Sequence, residues 1–261
     1  MRRHGFWSVL VAGLCSTYAG LAQQQPVPPD SATLAAAAAV RPSWRPAVWR
    51  TAVPLTLIGL GYLSRQENML DEFKEHVRGE TRELFPHFYT RLDDYSRHAP
   101  AVAAYGLYAV GLKGSRNVVA FSACYGLAHA LSTGVVSNLK RVSHTSRPYD
   151  VTNYSSFPSA HTAEAFMTAT LLHEQFGHGR PWLSVGGYTV AAATGAMRIL
   201  NDRHWITDVL AGASVGFLSA EAVWRLYPAV ARHLPGHLGQ KLLLVPTYAP
   251  GGTVGAAVMV R

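Results

Sequence analysis

NVVAFSACYGLAHALSTGVVSNL, residues 117–139, is a run of 23 residues in which His129 is the one side chain with a ready charge. Strands rarely exceed about ten residues, whereas roughly 20 apolar residues in a helix span a bilayer. The run therefore reads as a long apolar helix and as the strongest membrane candidate in the chain. Helical segments continue on both sides of it. Upstream lie a short apolar segment over residues 52–64, a charged amphipathic region over 71–94 and an apolar helix over 99–112. Downstream, helices are expected over 160–176, stopped by Gly177, over 182–200, and over 205–226, ended near Pro228. Strand signals are confined to residues 242–245 and 253–260, on either side of Pro246 and Pro250-Gly251-Gly252. The expected fold is all-α, a helical bundle of about six core helices with a short C-terminal β-hairpin.

Hydrophobic residues make up 49% of the 261-residue chain and charged residues 15%, with a mean hydropathy of +0.08. That balance suits a chain buried in itself or partly in lipid. Lysine and arginine outnumber aspartate and glutamate by 23 to 15, a formal charge of +8 that favours phosphates or anionic headgroups as partners. The basic residues are scattered and lack aromatic interleaving, which argues against nucleic acid. At the N-terminus, Arg2 and Arg3, an apolar stretch and the small residues up to Ala22 read as a secretory signal over residues 1–22, with a retained anchor as the alternative. Residues 23–50, rich in Pro, Ala and Gln, read as a linker, residues 51–230 as the bundle and residues 231–261 as a tail. Of two cysteines, Cys15 lies in the signal, so Cys124 has no partner for an intramolecular disulfide in the mature chain.

Chemistry concentrates in three blocks. The first, Lys140-Arg141-Val142-Ser143-His144-Thr145-Ser146-Arg147-Pro148, leaves the long apolar helix. Arginine's paired donors and lysine's compact charge suit a tetrahedral oxyanion, although a basic cluster flanking a membrane looks the same. The second is Ser156-Phe157-Pro158-Ser159-Ala160-His161-Thr162. It places Ser159 at a helix N-cap with free N–H groups beyond it, and His161 in the first turn, as a general acid or as an incidental exposed histidine. The third, Arg198-Ile199-Leu200-Asn201-Asp202-Arg203-His204-Trp205-Ile206-Thr207-Asp208, sets His204 and Asp208 four apart. On a helix these share a face, so the carboxylate can fix the imidazole tautomer and leave the other nitrogen free to attack. A surface His/Asp pair is the plainer alternative, but Asp208 sits among apolar residues where an unpaired carboxylate is costly.

Together the blocks resemble the motifs of the type 2 phosphatidic acid phosphatase superfamily, which shares its site with vanadium-dependent haloperoxidases. Lys140, Arg147 and Pro148, then Pro158, Ser159 and His161, then Arg198, His204 and Asp208 keep that family's internal spacings. Ala160 stands where the family usually has glycine, Met197 where it usually has serine, and residues 149–157 are short for the family. The resemblance implies a metal-independent phosphatase. Lys140, Arg147, Ser159, Ala160 and Arg198 would hold the phosphate, and His204, oriented by Asp208, would form a phosphohistidine while His161 protonates the leaving group. It implies no cofactor. The substrate implied is a lipid phosphate or diphosphate, and the place the bacterial periplasm or inner membrane. A haloperoxidase, or a non-catalytic membrane protein of the same fold, is the alternative.

Three other features read differently. His173-Glu174-Gln175-Phe176-Gly177-His178 has its histidines five apart instead of the four of a zinc-protease helix, and Gly177 is expected to end the helix, so both histidines read as decorating a helix C-terminus. Gly59-Leu60-Gly61 lacks the third glycine and the preceding strand of a dinucleotide loop. His129 reads as a satisfied packing histidine, and His144 as either pocket rim or surface.

Overall fold

The computed structural model describes residues 44–232 and the two strands 242–249 and 253–260. The expected signal, residues 1–22, and the linker up to residue 43 lie outside the described residues. Eight α-helices follow in order: α1 (Trp44–Leu63), α2 (Met69–Leu84), α3 (Leu92–Ser96), α4 (Ala99–Ala109), α5 (Val118–Ser143), α6 (Ala160–Leu172), α7 (Pro181–Leu200) and α8 (Ile206–Ala231). A π-helical turn, His173–Gly177, continues α6. Strands β1 (Leu242–Ala249) and β2 (Thr253–Val260) pair antiparallel, Leu242 opposite Val260 and Ala249 opposite Thr253. By internal packing the chain divides after Pro46, and the bundle lies in the unit that begins at Ala47.

Local chemistry explains most helix starts. The Asn68 side chain accepts the N–H groups of Leu70 and Asp71, and that of Asn117 accepts from Ala120 at 2.8 Å, so each caps donors the helix leaves unpaired. Several expected boundaries shift. Helix α1 begins at Trp44, inside the expected linker, because Pro46 falls in its first turn, where a missing N–H breaks no intrahelical bond. The amphipathic helix of residues 71–94 ends at Leu84, before Pro86. The helical run does end at Gly177, but its last turn, His173–Gly177, is π-helical. Helix α8 runs through Pro228 to Ala231. A proline at 228 removes the donor for the Trp224 carbonyl, and the Arg116 guanidinium supplies one instead, at 2.6 Å. β1 also passes through Pro246, which the sequence places in the turn.

The main core joins α4, α5, α6 and α8, with Phe121, Cys124, Ala128, Met167, Leu171 and Ala220 almost fully buried. Phe121 and Leu171 each contribute about 1.5–3 kcal/mol of apolar burial. Helices α6 and α8 cross at backbone contact. A Cβ on Gly212 would lie 2.4 Å from the Ser159 carbonyl oxygen, and one on Gly216 would lie 2.0 Å from that of Ala163. The Ser159 N–H also donates to the Asp208 carbonyl, at 3.0 Å. This crossing brings the start of α6, with the second block, against the start of α8, with the third.

Candidate active site

His204 precedes α8, 3% exposed, and Asp208 lies in the helix's first turn, 1% exposed. The Asp208 carboxylate accepts the Trp205 N–H at 3.0 Å and the Ser156 hydroxyl at 2.5 Å through one oxygen, Oδ2. The same oxygen stands 3.6 Å from His204 Nδ1, and Ser156 Oγ is 3.5 Å from that nitrogen. The expected direct His204–Asp208 hydrogen bond is thus relaxed into a three-way arrangement with Ser156. The cause is that Asp208 also caps the helix through Trp205, which draws the carboxylate toward the backbone. Nδ1 faces Asp208 and Ser156, and Nε2 is left as the nitrogen that can attack.

Burial, and then the charges of Lys140, Arg198 and Arg147, hold the His204 imidazole well below its ordinary pKa, so it is neutral at physiological pH and keeps its lone pair. Lys140 in turn feels Arg147 and Arg198. Three cations from two blocks, 140–147 and 198, therefore share one centre with the histidine. Lys140 lies in the last turn of α5, which is stopped by His144 in the left-handed region at φ 46°; His144 itself is exposed. Lys140 Nζ donates to the carbonyls of Ser155 and, at 3.4 Å, Ser156, and Arg147 Nε donates to the Ser155 hydroxyl at 3.3 Å. The loop between the first two blocks is thereby held by the cations. Trp205 Nε1 donates to the Ser146 carbonyl at 2.9 Å and ties the first block to the third.

Ser159 is the N-cap of α6, as its position suggests. Its hydroxyl accepts from the Thr162 N–H and the Thr162 hydroxyl, and its own N–H is taken by Asp208. The next residue, Ala160, is exposed and opens the helix. His161, one residue on, lines an opening of 290 Å³ with Arg198, Asp94, Tyr89, Arg91 and Arg203. Arg198 is 8% exposed and pairs with Asp93, while its Nε is buried with no partner. An unpaired guanidinium donor beside an open pocket suits an anion.

Two acidic residues at this site escaped the sequence reading, which placed them in an anonymous charged region. His161 Nε2 donates to Asp94 Oδ1 at 2.8 Å, and Arg198 donates to Asp93. Both acids sit on α3, held against the third block by Asn201, whose side chain exchanges two 2.9 Å hydrogen bonds with the Thr90 backbone. Asp94 and His161 are 67 positions apart, and no local spacing connects them. Burial, then the charges of Arg198 and Arg97, push the His161 pKa down to about 4, against the opposing pull of Asp94. The ligand atoms of Asp93, Asp94 and His161 lie within 4.8 Å of one another. Arg198 already supplies positive charge there, so the trio suits its own ion pairs better than a cation. His129, as expected, is satisfied, with Nδ1 2.8 Å from the buried Glu164.

Comparison with known proteins follows the same residues. Residues 121–232 match the family model of the PAP2 superfamily. A lipid A 1-phosphatase of Porphyromonas gingivalis is 40% identical over 151 residues, 58% of this chain and 34% of that protein, so this chain spans about a third of its relative. Among solved structures, Aquifex aeolicus LpxE is 25% identical, covering 56% of this chain and 93% of that one at a TM-score of 0.39. A transmembrane PAP2 type phosphatidylglycerolphosphate phosphatase from Bacillus subtilis is 18% identical, covering 70% and 99% at a TM-score of 0.45. All three motif blocks fall inside the segment, residues 121–232, that matches the PAP2 superfamily model.

Proposed function

We propose that this protein is an exported phosphatase that hydrolyses the phosphomonoester of an envelope lipid through a phosphohistidine on His204. The observation that carries the reading is a buried, neutral imidazole, backed by Asp208 and Ser156 and ringed by Lys140, Arg147 and Arg198. The cations hold the nonbridging oxygens, together with the N–H at Ala160. Nε2 of His204 attacks phosphorus, the ester P–O bond breaks, and the leaving alkoxide takes a proton from His161. His161, now neutral, accepts a proton from water, whose oxygen attacks the phosphorylated imidazole and releases inorganic phosphate. Positioning and charge stabilisation supply most of the acceleration in phosphoryl transfer, and the residues present provide both.

A lipid substrate is favoured by the surface beside the site. α5 and α8 are each long and apolar enough to cross a membrane, and about a third of the apolar window in α5 is buried within the bundle. Leu127, Leu131 and Val135 form an exposed ridge along α5, the helix whose last turn carries Lys140. An acyl chain along that ridge places its headgroup near the cations. The lipid A 1-phosphatase relative acts on a lipid phosphate, in keeping with this reading. We place the protein at the inner membrane with its site facing the periplasm.

The test is the phosphoenzyme. His204→Ala is expected to abolish turnover and any acid-labile protein-bound phosphate from a labelled lipid phosphate, while inorganic phosphate still binds through the cations. Phosphate trapped on a His204→Ala protein would refute the assignment.

A further inference from the structure

The π turn after α6 changes what five-residue spacing means. In an α-helix, residues five apart diverge around the axis, but in a π turn the i→i+5 hydrogen bond puts them one above the other. His173 and His178 accordingly face each other with ring centroids 5.0 Å apart. Glu174 joins them, and ligand atoms of His173, Glu174 and His178 all lie within 4.8 Å of one another. The turn is built by the loop before α5. Ser115 N–H and Oγ take the carbonyls of Gln175 and Glu174, each at 2.9 Å, and the buried Gln175 amide donates to the Arg116 carbonyl at 2.7 Å.

We propose that His173, Glu174 and His178 bind a divalent transition-metal ion of the zinc class, at the end of α6 remote from His204. Four features favour it. Two imidazoles and a carboxylate are the ligand set of many zinc sites, with a fourth position left to water. His173 Nδ1 is hydrogen-bonded to the Ser184 hydroxyl at 2.7 Å, the outer contact that metal-ligating histidines usually make, and this leaves Nε2 for the ion. Gly177 makes that contact possible, since a Cβ there would lie 2.1 Å from Ser184 Oγ and 2.7 Å from His173 Nδ1. Finally, Glu174 lies beside a second carboxylate, Glu221. Arg50 is 2.6 Å from Glu221 but 3.3 Å from Glu174, so Glu174 is the less tightly paired of the two and the more open to another cation. Glu221 also keeps Arg225, at 2.6 Å.

Tetrahedral zinc draws its ligand atoms to about 3.4 Å from one another. Rotation of the exposed His178 can close the remaining distance. His161 and His173 are twelve residues apart along one helical run, about 18 Å, so the ion takes no part in phosphoryl transfer. It would clamp the π turn to α7 through Ser184.

Tag-free, full-length protein in detergent, stripped with EDTA and dialysed, is titrated with Zn²⁺ against a chromogenic chelator. One equivalent is expected to bind and to raise the melting temperature. His178→Ala, an exposed position that the fold tolerates, should lose that equivalent and the thermal shift and keep phosphatase activity. His173→Ala should lose it too, and Ser184→Ala should weaken binding by roughly 10- to 100-fold. His161→Ala should bind as the parent does. The proposal is overturned if the parent takes up no zinc, if His178→Ala keeps full affinity, or if His161→Ala is the variant that loses the ion.

Discussion

His161 donates through Nε2 to Asp94, which leaves Nδ1 as the nitrogen that can carry a proton toward a leaving group. If that is its role, His161→Ala should slow hydrolysis of an alkyl phosphate on the order of 10²- to 10⁴-fold. The loss should be much smaller with p-nitrophenyl phosphate, whose leaving group scarcely needs a proton. Equal losses on both substrates would remove the general acid from His161. Asp94 is a positioning residue with a separate signature. The acid must be protonated, so kcat/KM falls as pH rises through the His161 pKa, about 4 in the free enzyme. Asp94 raises that value, so Asp94→Asn should move the alkaline limb of the profile to lower pH. A merely structural Asp94 would scale the profile without shifting it. For Asp208, the 3.6 Å separation and the intervening Ser156 argue for a loss below the roughly 10⁴-fold seen when a triad carboxylate is neutralised.

Between elements, the α6–α8 crossing matters most, because it alone sets the second block against the third. Gly216 faces a backbone carbonyl, which cannot move aside as a flexible side chain can. Gly216→Ala should destabilise the fold by about 1–3 kcal/mol in thermal or urea denaturation. Activity should fall further than stability at permissive temperature, because His161 is displaced from His204. The junction of Arg116 with α8 gives an independent case. Arg116→Ala orphans the Trp224 carbonyl and should cost about 1–3 kcal/mol. In a Pro228→Ala background the restored N–H can reach that carbonyl, and the same substitution should cost less. Equal costs in both backgrounds would show that Arg116 acts through its stacking on Trp224 and Tyr227 instead.

At the scale of the whole molecule, the site and the proposed metal cluster occupy opposite ends of one helical run. In the proposed mechanism the phosphate is held by Lys140, Arg147 and Arg198, so turnover should persist in EDTA and be inhibited by vanadate, which mimics the phosphoryl group in the same cationic pocket. Zinc- or magnesium-dependent recovery of activity lost in EDTA would count against that. EDTA should instead lower the melting temperature alone, through the distal ion.

The three blocks could be read from sequence because their geometry is local. Ser159 caps the helix that carries His161, and His204, just before α8, stands four residues from Asp208 in that helix's first turn, so short spacings place them. The run 117–139 likewise declares a helix by length and apolarity, since a chain that long has few other ways to satisfy its backbone. Asp93, Asp94 and Ser156 take their roles from partners 105, 67 and 52 positions away, and only packing brings these together. The same holds for His173 and His178. Their spacing speaks against a shared face in an α-helix, and it took the loop residue Ser115, meeting Gln175 within the turn, to wind that turn as a π-helix and reverse the reading.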